Sequence, residues 1–257
     1  MFLEPGLSLG EVLGVLLPIA FLSLISHRLR ILDTRGTIVA VAAGLIIGIL
    51  GDPSWLILLL FFLIISYVVT KFRYAVKHEK GAAEGSGGTR KTSNVLYNGL
   101  VPIIIAVFSN AIGEDAAWLY ITAIAAASSD TFASEIGVLS DRVFMITNPA
   151  RNSITANPAM RIAPGVDGGV SALGTVAALT ASIIISLVGW VLIPSMTDIP
   201  RTIPLLVLPA LLGFLGCHID SLLGATLEAR KLINKGQVNL SEIAIATLLM
   251  YLFLHYL

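Results

Sequence analysis

The chain has one cysteine, Cys217, in 257 residues, so no intrachain disulfide can form and nothing in it points to an oxidising compartment. Charge is scarce as well. Asp, Glu, Lys and Arg make up 12% of the sequence, where a soluble domain carries about a quarter. The 16 basic and 16 acidic residues cancel, leaving no excess of one sign, and no nucleic-acid partner is expected. No Ser-His-Asp pattern, zinc-ligand spacing or dinucleotide fingerprint occurs. Residues 84–99, EGSGGTRKTSNVLYNG, fail as a Walker loop, because Arg90 stands where that motif needs glycine and no strand precedes it. No basic stretch precedes the first apolar run, which follows Glu4 and contains Glu11; it reads as a retained helix, not a cleaved signal.

Apolar residues fill the space that charge leaves, at 56% of the chain. Runs near the ~20 residues needed to cross a bilayer fall at 9–26, 54–71, 95–112, 116–139, 169–193, 202–228 and 240–257, with a shorter one at 37–50. The Gly44-x-x-x-Gly48 spacing in the short run suits close helix packing, as a short span or a re-entrant segment. The expected fold is an all-α, polytopic transmembrane bundle of about eight spans, forming one integral membrane domain over 1–257 with cytoplasmic polar loops.

Eight spans put every Lys and Arg except Arg201 on one side, whereas Asp52, Glu114, Asp115 and Asp198 fall on the other. The positive-inside rule makes the basic side cytoplasmic. The two long connections, 72–94 and 140–168, both lie there, and polar loops of that length are commonly functional.

Ionised groups at membrane depth cost several kcal/mol (~3 or more) unless paired, hydrated or bound to a cation. The segment ASSDTFASEIGVLS, 127–140, nevertheless carries Asp130 and Glu135 among Ser128, Ser129, Thr131 and Ser134. GCHIDSLLGATLE, 216–228, carries Asp220 and Glu228 beside His218. No Lys or Arg sits at matching depth within these runs. Three readings follow: structural acids paired with nearby Arg or Lys; a Mg²⁺ site of hard oxygen ligands; or a cation path in a transporter. The loops favour phosphate. Gly165, Asp167, Gly168, Gly169 and Ser171 lead into a helix, where free N–H groups and the helix dipole attract anions, and Arg161 lies close by in sequence. Arg90, Asn94 and Asn98 enter another helix and suit a polyphosphate or lipid phosphate.

In order and spacing, SSDTFASEIG, PGVDGGVSALGT and IDSLLGATLE, with NVLYNG upstream and GQVNL downstream, resemble the integral membrane family that includes phytyl-phosphate kinase of plants and cyanobacteria and transmembrane protein 19 of animals. The resemblance implies a kinase that passes a phosphoryl group from a nucleoside triphosphate, CTP favoured, to an isoprenyl monophosphate. With it come expected roles: Asp130, Glu135, Asp220 and Glu228 as Mg²⁺ ligands; Arg90, with the first three acids, as catalytic. Gly165, Asp167, Gly168, Gly169, Ser171, Arg161, Asn94, Asn98, Ser134 and Thr131 would bind nucleotide or phosphate. A CTP-dependent lipid-phosphate cytidylyltransferase and a cation-coupled transporter remain the alternatives, and association into a homodimer stays open.

Overall fold

The computed structural model describes residues 9–192 and 202–256; Glu4, the Glu11 side chain, Asp198 and Arg201 lie outside the described residues. Eight long helices take up the eight apolar runs: α1 (Leu9–Leu29), α2 (Thr34–Leu50), α3 (Pro53–Lys71), α5 (Thr92–Val107), α7 (Asp115–Gly137), α8 (Ala172–Leu192), α9 (Ile203–Leu223) and α10 (Lys235–Tyr256). Two short helices, α4 (Tyr74–Glu79) and α6 (Ser109–Ile112), lie between them. Helices α1, α3, α8, α9 and α10 are each long and apolar enough to cross a membrane. The chain is an all-α polytopic membrane protein.

Helix α7 is the axis of the bundle. Every residue from Ala116 to Thr131 is buried, and α3, α5, α8, α9 and α10 all pack against it. Its sequence explains the position: a run rich in alanine and serine lets neighbours approach closely, and a helix shielded on all sides need not present leucines to lipid. At one end of the bundle Tyr120 stacks on Trp55 at 4.5 Å and donates from its hydroxyl to the Trp55 carbonyl, 3.1 Å away. There, too, His255 of α10 approaches Asp115 of α7 at 3.7 Å.

Helices α2 and α5 run parallel and are pinned together at both ends. Asp33 accepts from Gly36 N–H, capping α2, and from the Thr92 N–H (3.2 Å) and hydroxyl (2.8 Å) at the start of α5. At their other ends the Ser109 hydroxyl donates to the Leu50 carbonyl at 2.6 Å. Helix α2 therefore travels from one end of the bundle to the other and does not turn back; its 17 residues cover about 25 Å.

The sequence reads the two long connections as loops, and neither is wholly so: 72–94 carries α4. Within 140–168 and just beyond it lies a small antiparallel sheet, β2-β1-β3, made of β1 (Phe144–Met145), β2 (Asn148–Asn152) and β3 (Gly169–Val170). Pro149 sits on its edge strand β2, where a missing N–H costs no ladder bond. The sheet displaces the start of α8 from 169 to Ala172.

Hydrogen bonds from Gly36 and Thr92 hold the Asp33 carboxyl below the usual carboxylate range. Its contribution is complete above the unfolded value of about 3.9 and is lost as pH falls through the lower folded value. Asp33→Ala is expected to cost about 1 kcal/mol or somewhat more at neutral pH, and Asp33→Asn less. Thermal unfolding in detergent from pH 3 to pH 7 checks both, the wild type and Asp33→Ala converging at the acid end.

Candidate functional site

Glu135 follows Asp130 by five positions, which turns them about 140° apart around α7. The two acids therefore face different neighbours. Glu135 looks toward α3 and α4, where the Thr70 hydroxyl donates to its Oε1 at 2.8 Å and Lys77 Nζ to its Oε2 at 2.6 Å. Lys77 is fully buried and gives its remaining protons to the Val69 and Thr70 carbonyls, 2.9 and 2.8 Å away, at the end of α3. An ammonium has three donors, and here all three are used. Glu135 thus belongs to a closed ion pair away from Asp130 and Asp220, which corrects the expectation that it joins their metal set.

Asp130 faces the other way. With Asp220 of α9 it lines a cavity of about 220 Å³ whose walls also include Ser134, Gly165, Asp167, Gly168, Gly169 and Ser171, together with Cys217, His218 and Lys235. Lys235 Nζ lies 2.8 Å from Asp220 Oδ2, while Asp220 Oδ1 is buried without a hydrogen-bond partner. No Lys or Arg sits within the acid-bearing runs, yet two lysines reach the acids from outside them, one from α4 and one from the start of α10. Glu228 follows on a π turn, Gly224–Glu228, within the field of Asp167; its Oε2 is buried and unpartnered, and its side chain is not on the cavity wall.

The glycine loop is built for contact more than for free donors. Gly168 has φ +76°, and a Cβ there would come within 2.4 Å of the Ala225 Cβ, so the loop lies directly on the end of α9. Gly169 N–H is taken by the Val166 carbonyl at 2.9 Å. The Ser171 hydroxyl accepts from Gly174 N–H at 3.1 Å and lies 3.2 Å from the Gly137 carbonyl. The expected cluster of free N–H groups at the start of α8 is thus partly spent on its own cap and turn.

Other expected site residues lie elsewhere. Arg161 is exposed and donates to the Thr155 carbonyl at 3.1 Å, on neither cavity wall. Thr131 is buried behind the wall. Arg90, Asn94 and Asn98 line a second, mostly apolar pocket among α1, α2, α3 and α5. Burial pulls the Arg90 guanidinium below its ordinary value, and the fields of Glu135, Glu84 and Asp130 act against that.

One acid was missed from the sequence. Glu242 of α10 is fully buried with neither oxygen hydrogen-bonded, and it fills the space beside Gly216, where a Cβ would come within 2.5 Å of Oε2. Gly216 is one helical turn from Asp220, so Glu242 lies a turn further from the cavity mouth. Among the described residues no three Asp, Glu, His or Cys side chains converge as a ready metal centre. The cavity presents Asp130 and Asp220 in its interior and the exposed Asp167 on its wall.

These features define a multi-pass helical membrane protein with a carboxylate-lined cavity at its basic, loop-rich end. The chain belongs to the family described as integral membrane protein DUF92, which matches residues 17–247. It is 33% identical over 226 residues to an uncharacterized membrane protein of Methanocaldococcus jannaschii, covering 88% of this chain and 87% of that one. It is 30% identical over 186 residues to an uncharacterized membrane protein of Synechocystis, covering 70% of this chain and 65% of the relative. No solved structure matches it.

Lys77→Met should leave Glu135 as an unpaired buried charge and cost about 3–5 kcal/mol. Adding Glu135→Gln should recover a large part of the loss. Thermal midpoints of the single and double variants in detergent measure the coupling.

Proposed function

We propose that this protein is a kinase that transfers the terminal phosphoryl group of a nucleoside triphosphate to an isoprenyl monophosphate at the cytoplasmic face of the membrane. One observation carries the reading: Asp130, Asp220 and Lys235 meet the glycine loop in a single cavity at the basic end of the bundle. The resemblance of three ordered motifs to phytyl-phosphate kinase supplies the substrate class.

Phosphoryl transfer asks a protein for charge neutralisation and alignment, because the acceptor phosphate is itself the nucleophile. A lipid phosphate oxygen attacks the γ-phosphorus, the bond between that phosphorus and the β–γ bridging oxygen breaks, and a nucleoside diphosphate leaves. Asp130 and Asp220 suit Mg²⁺ shared with phosphate oxygens, since Asp220 Oδ1 is buried without a partner, and the ion would neutralise phosphate charge. Lys235 holds Asp220 in place and brings a cation to the cavity wall. Asp167, exposed at the rim, is positioned to meet a ribose hydroxyl or the metal. Glu135 is a structural residue in this scheme.

A second reading, cation-coupled transport, is favoured by Glu242, an unpartnered acid one turn deeper than the cavity. The experiment separates them. Purified protein with Mg²⁺, phytyl or geranylgeranyl monophosphate and each of ATP, CTP, GTP and UTP should yield prenyl diphosphate and a nucleoside diphosphate by mass spectrometry, CTP being the expected donor. Asp130→Asn and Asp220→Asn should each lower kcat by about 10²–10³-fold at an unchanged thermal midpoint. A nucleotidyl lipid plus pyrophosphate would replace the kinase by a cytidylyltransferase. Cation-driven uptake into proteoliposomes without nucleotide turnover would establish transport instead.

A further inference from the structure

We propose that the apolar pocket among α1, α2, α3 and α5 is a binding site for a lipid with one phosphate and one narrow chain, its head on Arg90 and its chain between the helices.

Arg90 is the reason for the anion. It is 8% exposed, its Nε has no partner, and its one side-chain hydrogen bond is a long 3.4 Å contact to the Thr70 hydroxyl. A guanidinium carries five donors in a planar fork that matches phosphate, and leaving them unmet in a buried place is costly. The nearest carboxylates do not meet them. Both Glu135 oxygens are occupied, by Thr70 and Lys77, and Glu84 Oε1 accepts from Asn94 at 3.0 Å. Among the described residues Arg90 closes no ion pair, whereas Lys77 beside it is fully satisfied. Glu135 is spent on Thr70 and Lys77 and Glu84 on Asn94, so the Arg90 fork faces the pocket with most of its donors unmet.

The rest of the wall is the reason for the chain. Below Arg90, Asn94 and Asn98 the lining turns apolar, and small residues, Ala40, Ala43 and Gly99, keep the space open. A Cβ at Gly99 would meet only the tip of Ile103, at 3.9 Å. The space measures about 70 Å³, enough for the first part of one chain and too little for two. In a membrane-spanning bundle, a polar head at the loop-rich end with an apolar slot beneath it selects an amphiphile from the bilayer. The assignment does not depend on chemistry at the acidic cavity, and it stands or falls by binding alone.

The test is photolabelling of the full chain in nanodiscs by a single-chain C20 monophosphate bearing a diazirine, without nucleotide, with the site mapped by peptide mass spectrometry. Label is expected in α2, α3 or α5, competed by unlabelled geranylgeranyl monophosphate and not by geranylgeraniol, inorganic phosphate or dioleoyl phosphatidic acid at equal concentration. Arg90→Gln should weaken competition by about tenfold or more. Ala43→Leu, which narrows the slot and leaves the head group site intact, should reduce labelling at an unchanged thermal midpoint, so the proposal stays testable if Arg90→Gln misfolds. Asp130→Asn should label like the wild type whatever its turnover, which separates this site from the kinase reading. Equal competition by the alcohol, by inorganic phosphate or by phosphatidic acid would overturn the proposal, as would labelling indifferent to both Arg90→Gln and Ala43→Leu.

Discussion

The structure depends on neutralising carboxylates that the sequence places inside a helical bundle. Burying an unpaired charge costs more than most single contacts return, and α7 and α9 each recruit a lysine from outside their own segment, whereas Glu242 of α10 stays without a hydrogen-bond partner. Lys77 folds back from α4 to Glu135, and Lys235 reaches from the start of α10 to Asp220. The first of these pairs shapes the chain around it. With Lys77 committed to α3 and α7, the 72–80 connection is drawn against the end of the central helix, where Lys80 in turn reaches Asp141 at 2.8 Å.

Helix α7 then divides the polar end into two electrostatic territories. On the side of α8, α9 and α10, Asp130, Asp220 and Glu242 share the field of one lysine, Lys235. On the side of α3 and α5, Lys77 and Arg90 share Glu135. In the proposed scheme the acidic side would take the cation-bound phosphate and the basic side a bare anion. A single helix with two acids about 140° apart forms the boundary between the two sides.

Much of the fold was legible in hydropathy, because the apolar runs must be helices to satisfy their backbone in lipid. The small sheet was not, since Phe144 to Asn152 carries no sustained alternation. Asp130 and Asp220 were found as acids out of place. Their partners were missed for a geometric reason: Lys77 and Lys235 belong to loop-rich positions in sequence, and long flexible side chains carry their charge back into the bundle. Glu242 escaped because SEIAIATLLMYL reads as an ordinary span around one acid, and its proximity to Asp130 and Asp220 is purely tertiary. The glycines of the 165–169 loop were recognised as special, but their close contact with Ala225 could only come from the packing of α9.

Asp33 has a mechanical meaning beyond its role as a cap. One carboxylate holds the starts of two parallel helices, and Ser109 ties their far ends, so α2 and α5 behave as the two rails of a ladder. The second rail, α5, also carries Tyr97, which packs on Gly236, and Asn98, bonded to Asn239 of α10. Through α5 the pair is thereby fastened to the helix that bears Lys235, so the carboxylate at position 33 belongs to one chain of contacts that runs past α7 to the acidic cavity.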